Sequence, residues 1–325
     1  MRNTSSQDIS FLENELSAER FSECRTPDEL NELHDERMKK IVEQALSQVE
    51  SEQGNCPARF HVLVMGSTGR REQAVFSDQD HAIVFEGGTE HASFFRALGE
   101  RFTDLMEQAG YERCEGKVMA EEPRWNTTLT GMHSQIQDWL HKGDWESIRY
   151  VLILFDSRVL FGQSEAASEL KETMFATTND LPHIPEKIME NTGFRKKRRN
   201  VFGQILTDNR GEVNFKTSIL FPFVNAARTA AYFEEVTEAP TLSRMKALEP
   251  VIPFMKHAAA SFEEALAFRH EKTKTASSYD SIHQIKINSL SAKEKEDVKR
   301  WMKDGKRLIQ EVRSHYSSKE RTSSS

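Results

Sequence analysis

The stretch Phe60–Glu86, FHVLVMGSTGRREQAVFSDQDHAIVFE, places the strongest limit on what this chain can fold into. Residues 60–66 and 81–86 are short apolar runs with β-branched and aromatic content, which read as strands. Between them come a glycine-rich turn, a polar helix start and the acidic run Ser77-Asp78-Gln79-Asp80. A turn suited to phosphate oxygens therefore lies just before two carboxylates suited to a metal ion.

The flanking sequence is mostly helical. Phe11, Leu12 and Leu16 form an apolar stripe, and Thr26-Pro27-Asp28-Glu29 is a helix start, with Thr26 as cap and Pro27 at the first helical position. Leu30, Leu33, Met38, Ile41, Val42, Ala45, Leu46 and Val49 then recur at helical spacing, so residues 1–52 read as an N-terminal helical extension. Residues 92–109 form an amphipathic helix that Gly110 can end. Glu115–Ala120 reads as a third strand closed by Pro123. Alternating strands and helices give α/β order to the segment 53–130. From residue 131 the pattern turns helical and stays so to about 316, with residues 215–235 among the helices and a capping box at Ser291-Ala292-Lys293-Glu294. Residues 317–325 read as a disordered polar tail. The whole is α+β: a helical extension, a small mixed-sheet domain and an all-helical domain.

Composition excludes several classes. The net charge of −7 argues against general nucleic-acid binding. Cys24, Cys56 and Cys114 are scattered, with no zinc-type spacing, and their low, odd number fits a reducing interior. No apolar run approaches membrane-spanning length, and the first residues carry no signal-peptide core. A cytoplasmic protein without membrane contact is the expectation.

The candidate chemistry lies in the opening stretch. Gly66 and Gly69 flank Ser67-Thr68 directly after a strand, so the backbone can approach an anion closely; Ser67 adds a hydroxyl and Arg70 a cation. Asp78 and Asp80, two apart in an extended chain, share one face about 6.5–7 Å apart along it. Two carboxylates on one face make a hard oxygen site for Mg²⁺ or Mn²⁺, although Ser-Asp-Gln-Asp is also good turn chemistry. Lys216 and Arg228, twelve residues apart in an apolar helix, are about three turns apart and can share a face; both can serve phosphate or simply snorkel. Asp156 and Arg158 read as an internal ion pair. His81 lies on the strand face opposite Asp80 and reads as packed rather than catalytic. Arg195–Arg199 is the most basic run, readable as a solvated helix face or as a grip on a nucleotide, a phosphorylated substrate or RNA.

The pattern Gly66-Ser67-x-Gly69-Arg70-x-Glu72-Gln73 followed by Asp78-Gln79-Asp80 resembles the nucleotidyltransferase-like family of unknown function related to the N-terminal domain of bacterial PII-protein uridylyltransferase, within the polymerase-beta-type superfamily. The resemblance continues through Val118-Met119-Ala120 with Pro123 and Trp125, Asp156-x-Arg158 with Gly162, Phe215–Arg228, Arg269-His270 and the last helix. It implies that Gly66, Ser67, Gly69 and Arg70, with Lys216 and Arg228, hold the phosphates of a nucleoside triphosphate. Asp78 and Asp80 bind Mg²⁺ or Mn²⁺, and a nucleotidyl group passes to a protein or small-molecule acceptor as pyrophosphate leaves. A signalling protein acceptor and a uridylyltransferase-like activity are the nearest implications. The chain departs from the superfamily pattern at the third carboxylate: GKVMAEEPRW has no aspartate in its middle, and Glu121 and Glu122 at its end are the substitutes on offer. That departure supports a second expectation, a non-catalytic nucleotide-sensing or partner-binding regulator.

Overall fold

The computed structural model describes residues 18–193, 211–276 and 278–323. The expected stripe at Phe11, Leu12 and Leu16 and the basic run Arg195–Arg199 lie outside the described residues. The fold is α+β, in two compact units. The first comprises Met1–Gln135, Ser157–Leu170 and Thr273–Tyr279, the second Ile136–Asp156, Lys171–Lys272 and Asp280–Ser325.

The first unit is built on a four-stranded mixed sheet of β1 (Phe60–Val64), β2 (His81–Phe85), β3 (Asn126–Thr128) and β4 (Arg158–Phe161), in the order β3-β2-β1-β4. β1 runs antiparallel to β2, with Phe60 opposite Phe85 and Val64 opposite His81, and antiparallel to β4; β2 and β3 are parallel. Every residue of β1 and β2 is buried, as their mostly apolar runs require. On one face Val62, Val64, Ile83 and Phe85 join Met38, Ile41, Val42, Ala45 and Val49 of the helix Pro27–Gln53 and Phe95, Leu98 and Phe102 of the helix Ala92–Gln108. The Phe85 and Phe95 rings stack at 4.2 Å, and burying each such side chain contributes about 2–3 kcal/mol. The helix Pro27–Gln53 starts as its sequence dictates, with the Glu29 amide donating to Thr26 Oγ1 at 3.2 Å, and its apolar stripe is part of the core of the sheet unit.

Three expectations for this part of the chain are corrected. Glu115–Ala120 is not a strand: the chain turns at Cys114–Lys117, where the Lys117 amide donates to the Cys114 carbonyl and Lys117 takes a left-handed φ of 53°. The strand that flanks β2 is Asn126–Thr128 instead. The chain also does not remain helical after residue 131, because Arg158–Phe161 returns to the sheet as β4. Four residues are too few for periodicity to distinguish a strand from a helical segment. Finally, Asp156 and Arg158 do not pair with each other: the helix Trp145–Phe155 ends just before Asp156, whose carboxylate holds Arg228 and Arg244, while Arg158 pairs with Asp35.

The second unit is mainly helical, with a two-stranded antiparallel ribbon of β5 (Glu212–Asn214) and β6 (Gln284–Lys286). Lys216–Leu220 is a π-helical turn that leads into the helix Phe221–Phe233, so the expected single regular helix over 215–235 is interrupted. A π-turn shifts the angular phase of what precedes it. The last helix, Ala292–Ser323, begins at the expected capping box: the Ser291 amide donates to Glu294 Oε2 at 2.7 Å and the Glu294 amide to Ser291 Oγ at 3.3 Å. It continues through most of the stretch whose composition suggested a disordered tail, as an established helix gains one hydrogen bond per residue added.

Candidate functional site

The acidic run is held in an extended conformation whose alternation is visible in its burial. Ser77, Gln79 and His81 are buried, whereas Asp78 and Asp80 are partly open to solvent. The inward residues explain why. Gln79 Nε2 donates to the carbonyls of Tyr111 at 3.1 Å and Thr103 at 3.4 Å. The Ala120 amide donates to His81 Nδ1 at 3.1 Å, so the ring proton sits on Nε2 and is donated to Gln79 Oε1 at 3.0 Å. Burial pushes the His81 pKa down to about 3, and its ring packs on Phe102, 4.5 Å between centroids. His81 is a neutral anchor, as expected from its side of the strand.

Main-chain bonds fix the same segment. The Gln79 amide donates to the Glu112 carbonyl at 2.9 Å, the His81 amide to the Val118 carbonyl at 3.0 Å and the Met65 amide to the Asp80 carbonyl at 2.8 Å. With the inward side chains locked and the backbone tied on both sides, the Asp78 and Asp80 carboxylates must emerge on the other face.

The glycine turn sits directly beside them. Gly66 opens the one-turn helix Gly66–Gly69 with φ at 57°, a left-handed value that favours glycine. A Cβ on Gly66 would lie 2.0 Å from Asp80 Oδ2, so the missing side chain is the space the carboxylate occupies. Ser67 next to it is partly exposed. The Gly69 and Arg70 amides are taken up inside the turn, on the Met65 and Gly66 carbonyls; the amides of Gly66, Ser67 and Thr68 belong to its first turn, where no intrahelical acceptor exists.

Arg70 is placed differently from the expectation. Its side chain is 5% exposed and its Nε donates to Glu72 Oε2 at 2.9 Å. A buried guanidinium held by a buried carboxylate braces the turn. Arg158 supports the turn as well, donating from Nε and Nη2 to the Thr68 carbonyl and pairing with Asp35.

Three residues at the carboxylates were not singled out from the sequence. Burial first, and then the Asp78, Asp80 and Glu112 carboxylates, raise the Tyr279 pKa above the ordinary phenol value. The Cys114 thiol donates to Asp80; burial first, then the Asp80 charge, pushes its pKa up to about 12. Glu112 forms a parallel bridge with Asp78 and is exposed. No local signal marks Tyr279, which lies far downstream, and Glu112 falls outside the short segment where a third carboxylate would be sought.

The expected substitutes are engaged elsewhere. Glu121 pairs with Arg113, which also holds Asp104 and Glu107. Glu122 lies 3.8 Å from Lys117 Nζ. Among the described residues no group of three or more His, Cys, Asp or Glu side chains is arranged to hold a metal ion. Asp78 and Asp80 are both partly open to solvent beside the Gly66 turn. Mg²⁺ keeps several waters and is commonly held by one or two carboxylates plus substrate phosphates, so this donor set fits that ion. A shallow depression lined by Arg59, His61 and Phe161 lies at the opposite end of β1 and includes no carboxylate.

In the second unit, Arg228 makes a two-point contact with Asp156, Nε to Oδ1 at 3.1 Å and Nη2 to Oδ2 at 2.6 Å. It is therefore a partner of the Asp156 carboxylate. Lys216, partly exposed, lies in the π-turn, so regular helical spacing does not align it with Arg228.

Two family models match the chain. A family model described as "Putative nucleotidyltransferase DUF294" matches residues 13–146, covering β1, β2 and β3, the glycine turn and both aspartates. A second, described as "Putative nucleotidyltransferase substrate binding domain", matches residues 183–316. No curated protein matches the chain, and no described helix is long and apolar enough to cross a membrane. With its Gly-Ser turn and aspartate pair in the first match and its helical region in the second, the chain belongs to the DUF294 nucleotidyltransferase-like family and carries that family's C-terminal domain.

Proposed function

We propose that the protein transfers a nucleotidyl group from a nucleoside triphosphate to a protein or small-molecule acceptor and releases pyrophosphate. The observation that carries this reading is the face shared by Asp78 and Asp80, set against the Gly66-Ser67 turn by a glycine that leaves room for the Asp80 carboxylate. In this reading the turn amides and the Ser67 hydroxyl bind triphosphate oxygens, and Asp78 and Asp80 hold Mg²⁺ or Mn²⁺. The ion, when bound, supplies charge neutralisation for the phosphates and an in-line template. The protein's own part is to hold the two carboxylates and the turn in fixed relation, which avoids reorganisation when the nucleotide arrives. Residues 53–130 act as the nucleotidyltransferase-like domain and residues 131–316 as the substrate-binding domain, with Lys216 the candidate phosphate contact of the latter. A uridylyltransferase-like reaction on a signalling protein in the cytoplasm is the nearest specific form. The free state of Cys24, Cys56 and Cys114 suits a reducing compartment.

The test is label transfer or pyrophosphate release from each of the four radiolabelled triphosphates with Mg²⁺, wild type against Asp78→Ala/Asp80→Ala. Equal rates in the two proteins would remove the enzyme reading. The engagement of Glu121 by Arg113 favours a second reading, a nucleotide-binding regulator that does not turn over. Triphosphate binding by calorimetry without product, across a screen of acceptors, would select it.

A further inference from the structure

The helix Pro27–Gln53 changes character along its length. From Met38 onward the residues it buries are all apolar: Met38, Ile41, Val42, Ala45 and Val49. In its second turn the buried residues are Asn31, His34 and Asp35, all polar. Spaced i, i+3 and i+4, they share one face. Apolar side chains would fill that face without taking polar groups out of water, so the contacts of these three are informative. Asn31 Oδ1 accepts the Gln73 amide at 3.2 Å. His34 Nε2 lies 2.8 Å from the Ala74 carbonyl, which can only accept, so the ring proton is there and Nδ1 accepts the Tyr111 hydroxyl at 2.9 Å. Asp35 holds Arg158 Nη2 at 2.5 Å and lies 3.5 Å from Arg71 Nη1. Every one of these contacts leads to the candidate site. Arg158 donates to the Thr68 carbonyl of the glycine turn from Nε at 3.2 Å and Nη2 at 3.1 Å. Arg71 is where the chain leaves that turn, with a left-handed φ of 56°, and Gln73 and Ala74 follow it. The Tyr111 carbonyl accepts Gln79 Nε2 at 3.1 Å, and Gln79 is the inward residue between Asp78 and Asp80.

We propose that this helix carries positioning residues of the transfer site: Asp35 fixes the phosphate turn, and His34 fixes that turn relative to the aspartate pair. The inference rests on the nucleotidyltransferase reading above. Asp35 supplies the negative charge that keeps Arg158 on the Thr68 carbonyl and Arg71 at the exit, so the first-turn amides keep their direction. Asn31 adds a tie at Gln73. His34 bonds to both halves at once, to the segment leaving the turn at Ala74 and, through Tyr111 and Gln79, to the acidic run. A triphosphate that bridges the turn amides and an ion on Asp78 and Asp80 needs the two halves at a set separation. A misplacement of about 1 Å can cost roughly a hundred-fold in rate. None of the three residues touches the nucleotide in this reading; they act through Thr68, Gln73, Ala74 and Tyr111.

The full chain is compared with Asp35→Asn, His34→Phe and Ile41→Ala, the last removing apolar packing from the same helix. Urea midpoints are recorded, with hydrogen exchange over residues 66–74 in the absence of nucleotide. Calorimetry gives the affinity for each of the four triphosphates with and without Mg²⁺. Asp35→Asn is expected to speed exchange over 66–74 and to weaken triphosphate binding about ten-fold whether or not Mg²⁺ is present. His34→Phe should leave binding without the ion unchanged and reduce about ten-fold the factor by which Mg²⁺ tightens it; where transfer is measured, kcat should fall roughly a hundred-fold. Tyr111→Phe, which deletes only the hydroxyl on His34 Nδ1, should show the same pattern at smaller size and serves if His34→Phe does not fold. Ile41→Ala should lower the urea midpoint while affinity and kcat stay within about two-fold of wild type. If Asp35→Asn and His34→Phe match Ile41→Ala in affinity, Mg²⁺ dependence and kcat, the polar face is packing and the proposal is overturned. Binding and transfer by the wild type would in that case leave the nucleotidyltransferase reading intact. Equal exchange over 66–74 in Asp35→Asn and wild type would overturn it too, with or without turnover. A wild type that binds no triphosphate with Mg²⁺ or Mn²⁺ would remove both readings.

Discussion

The two units each present aspartate oxygens to donors, and they do so in opposite ways. In the sheet unit, Asp78 and Asp80 are partly exposed, beside the glycine turn. In the helical unit, Asp156 is 1% exposed and receives Arg228 at two points and Arg244 Nη1 at 2.6 Å. Arg244 is itself satisfied on every side, by the carbonyls of Phe155 and Glu238 and by the face of the Phe155 ring, 4.4 Å away. A buried carboxylate between two guanidinium groups is a structural knot, because breaking it strands a charge away from water. A carboxylate pair that is partly open to solvent can still be reached by a cation that comes and goes. The same residue type is thus a fastening in one place and a candidate ligand in the other, and the difference lies in the partners and the solvent.

Substitution can break or sharpen this contrast. Asp78→Ala/Asp80→Ala should lower nucleotidyl transfer by about a thousand-fold or more, several kcal/mol of transition-state stabilisation, while the urea midpoint stays near that of wild type. Asp156→Ala should do the reverse: it leaves Arg244 and Arg228 unpaired and costs about 3–5 kcal/mol in urea denaturation. If Asp156→Ala unfolds no more readily than the double variant, the distinction between fastening and ligand fails. Gly66→Ala forces a left-handed φ on an alanine and drives a methyl into Asp80 Oδ2. It should cost about 1–2 kcal/mol of stability and weaken Mn²⁺ binding, which calorimetry and denaturation read separately.

The contrast extends to pH dependence. Burial, with Arg244 nearby, pushes the Lys171 pKa down to about 7, and its Nζ donates to the Thr237 carbonyl. Between pH 7 and about 10.5 the unfolded chain keeps this proton and the folded chain does not, so stability of the helical unit rises with pH by roughly 1 kcal/mol per pH unit in that window. Hydrogen exchange in the helix Phe221–Phe233 at pH 7, 8 and 9 should show the rise, and Lys171→Met should flatten it. In the sheet unit the signs place the change elsewhere. His34 and His81 are buried, with pKa values pushed down to about 3. As pH falls from about 6.5 toward 3 the unfolded chain takes up their protons first, and stability is lost.

Much of the candidate site was legible in the chain, for identifiable reasons. The aspartate pair was readable because an extended backbone alternates sides, and the buried Gln79 between Asp78 and Asp80 shows that alternation in three dimensions. The packed role of His81 followed from the same parity. Arg70 and Arg228 read as cations for phosphate because charge is visible in sequence and the opposing carboxylate is not; Glu72 and Asp156 hold them. Glu121 reads as a free acid until Arg113 is seen beside it.

By itself, then, the sequence determined the local terms: two apolar strands around a Gly-Ser turn, carboxylates of one parity, the Thr26 and Ser291 caps and the apolar faces of the helices. These depend on residues within a turn or two of one another, where spacing is geometry. Tertiary structure alone decided what each face meets. It made the Pro27–Gln53 stripe part of the sheet's core, returned Arg158–Phe161 to the sheet, matched Asp156 with two arginines and gave Glu121 to Arg113. Contacts between residues remote in sequence are fixed by how the whole core is buried, and no local pattern encodes which partner wins.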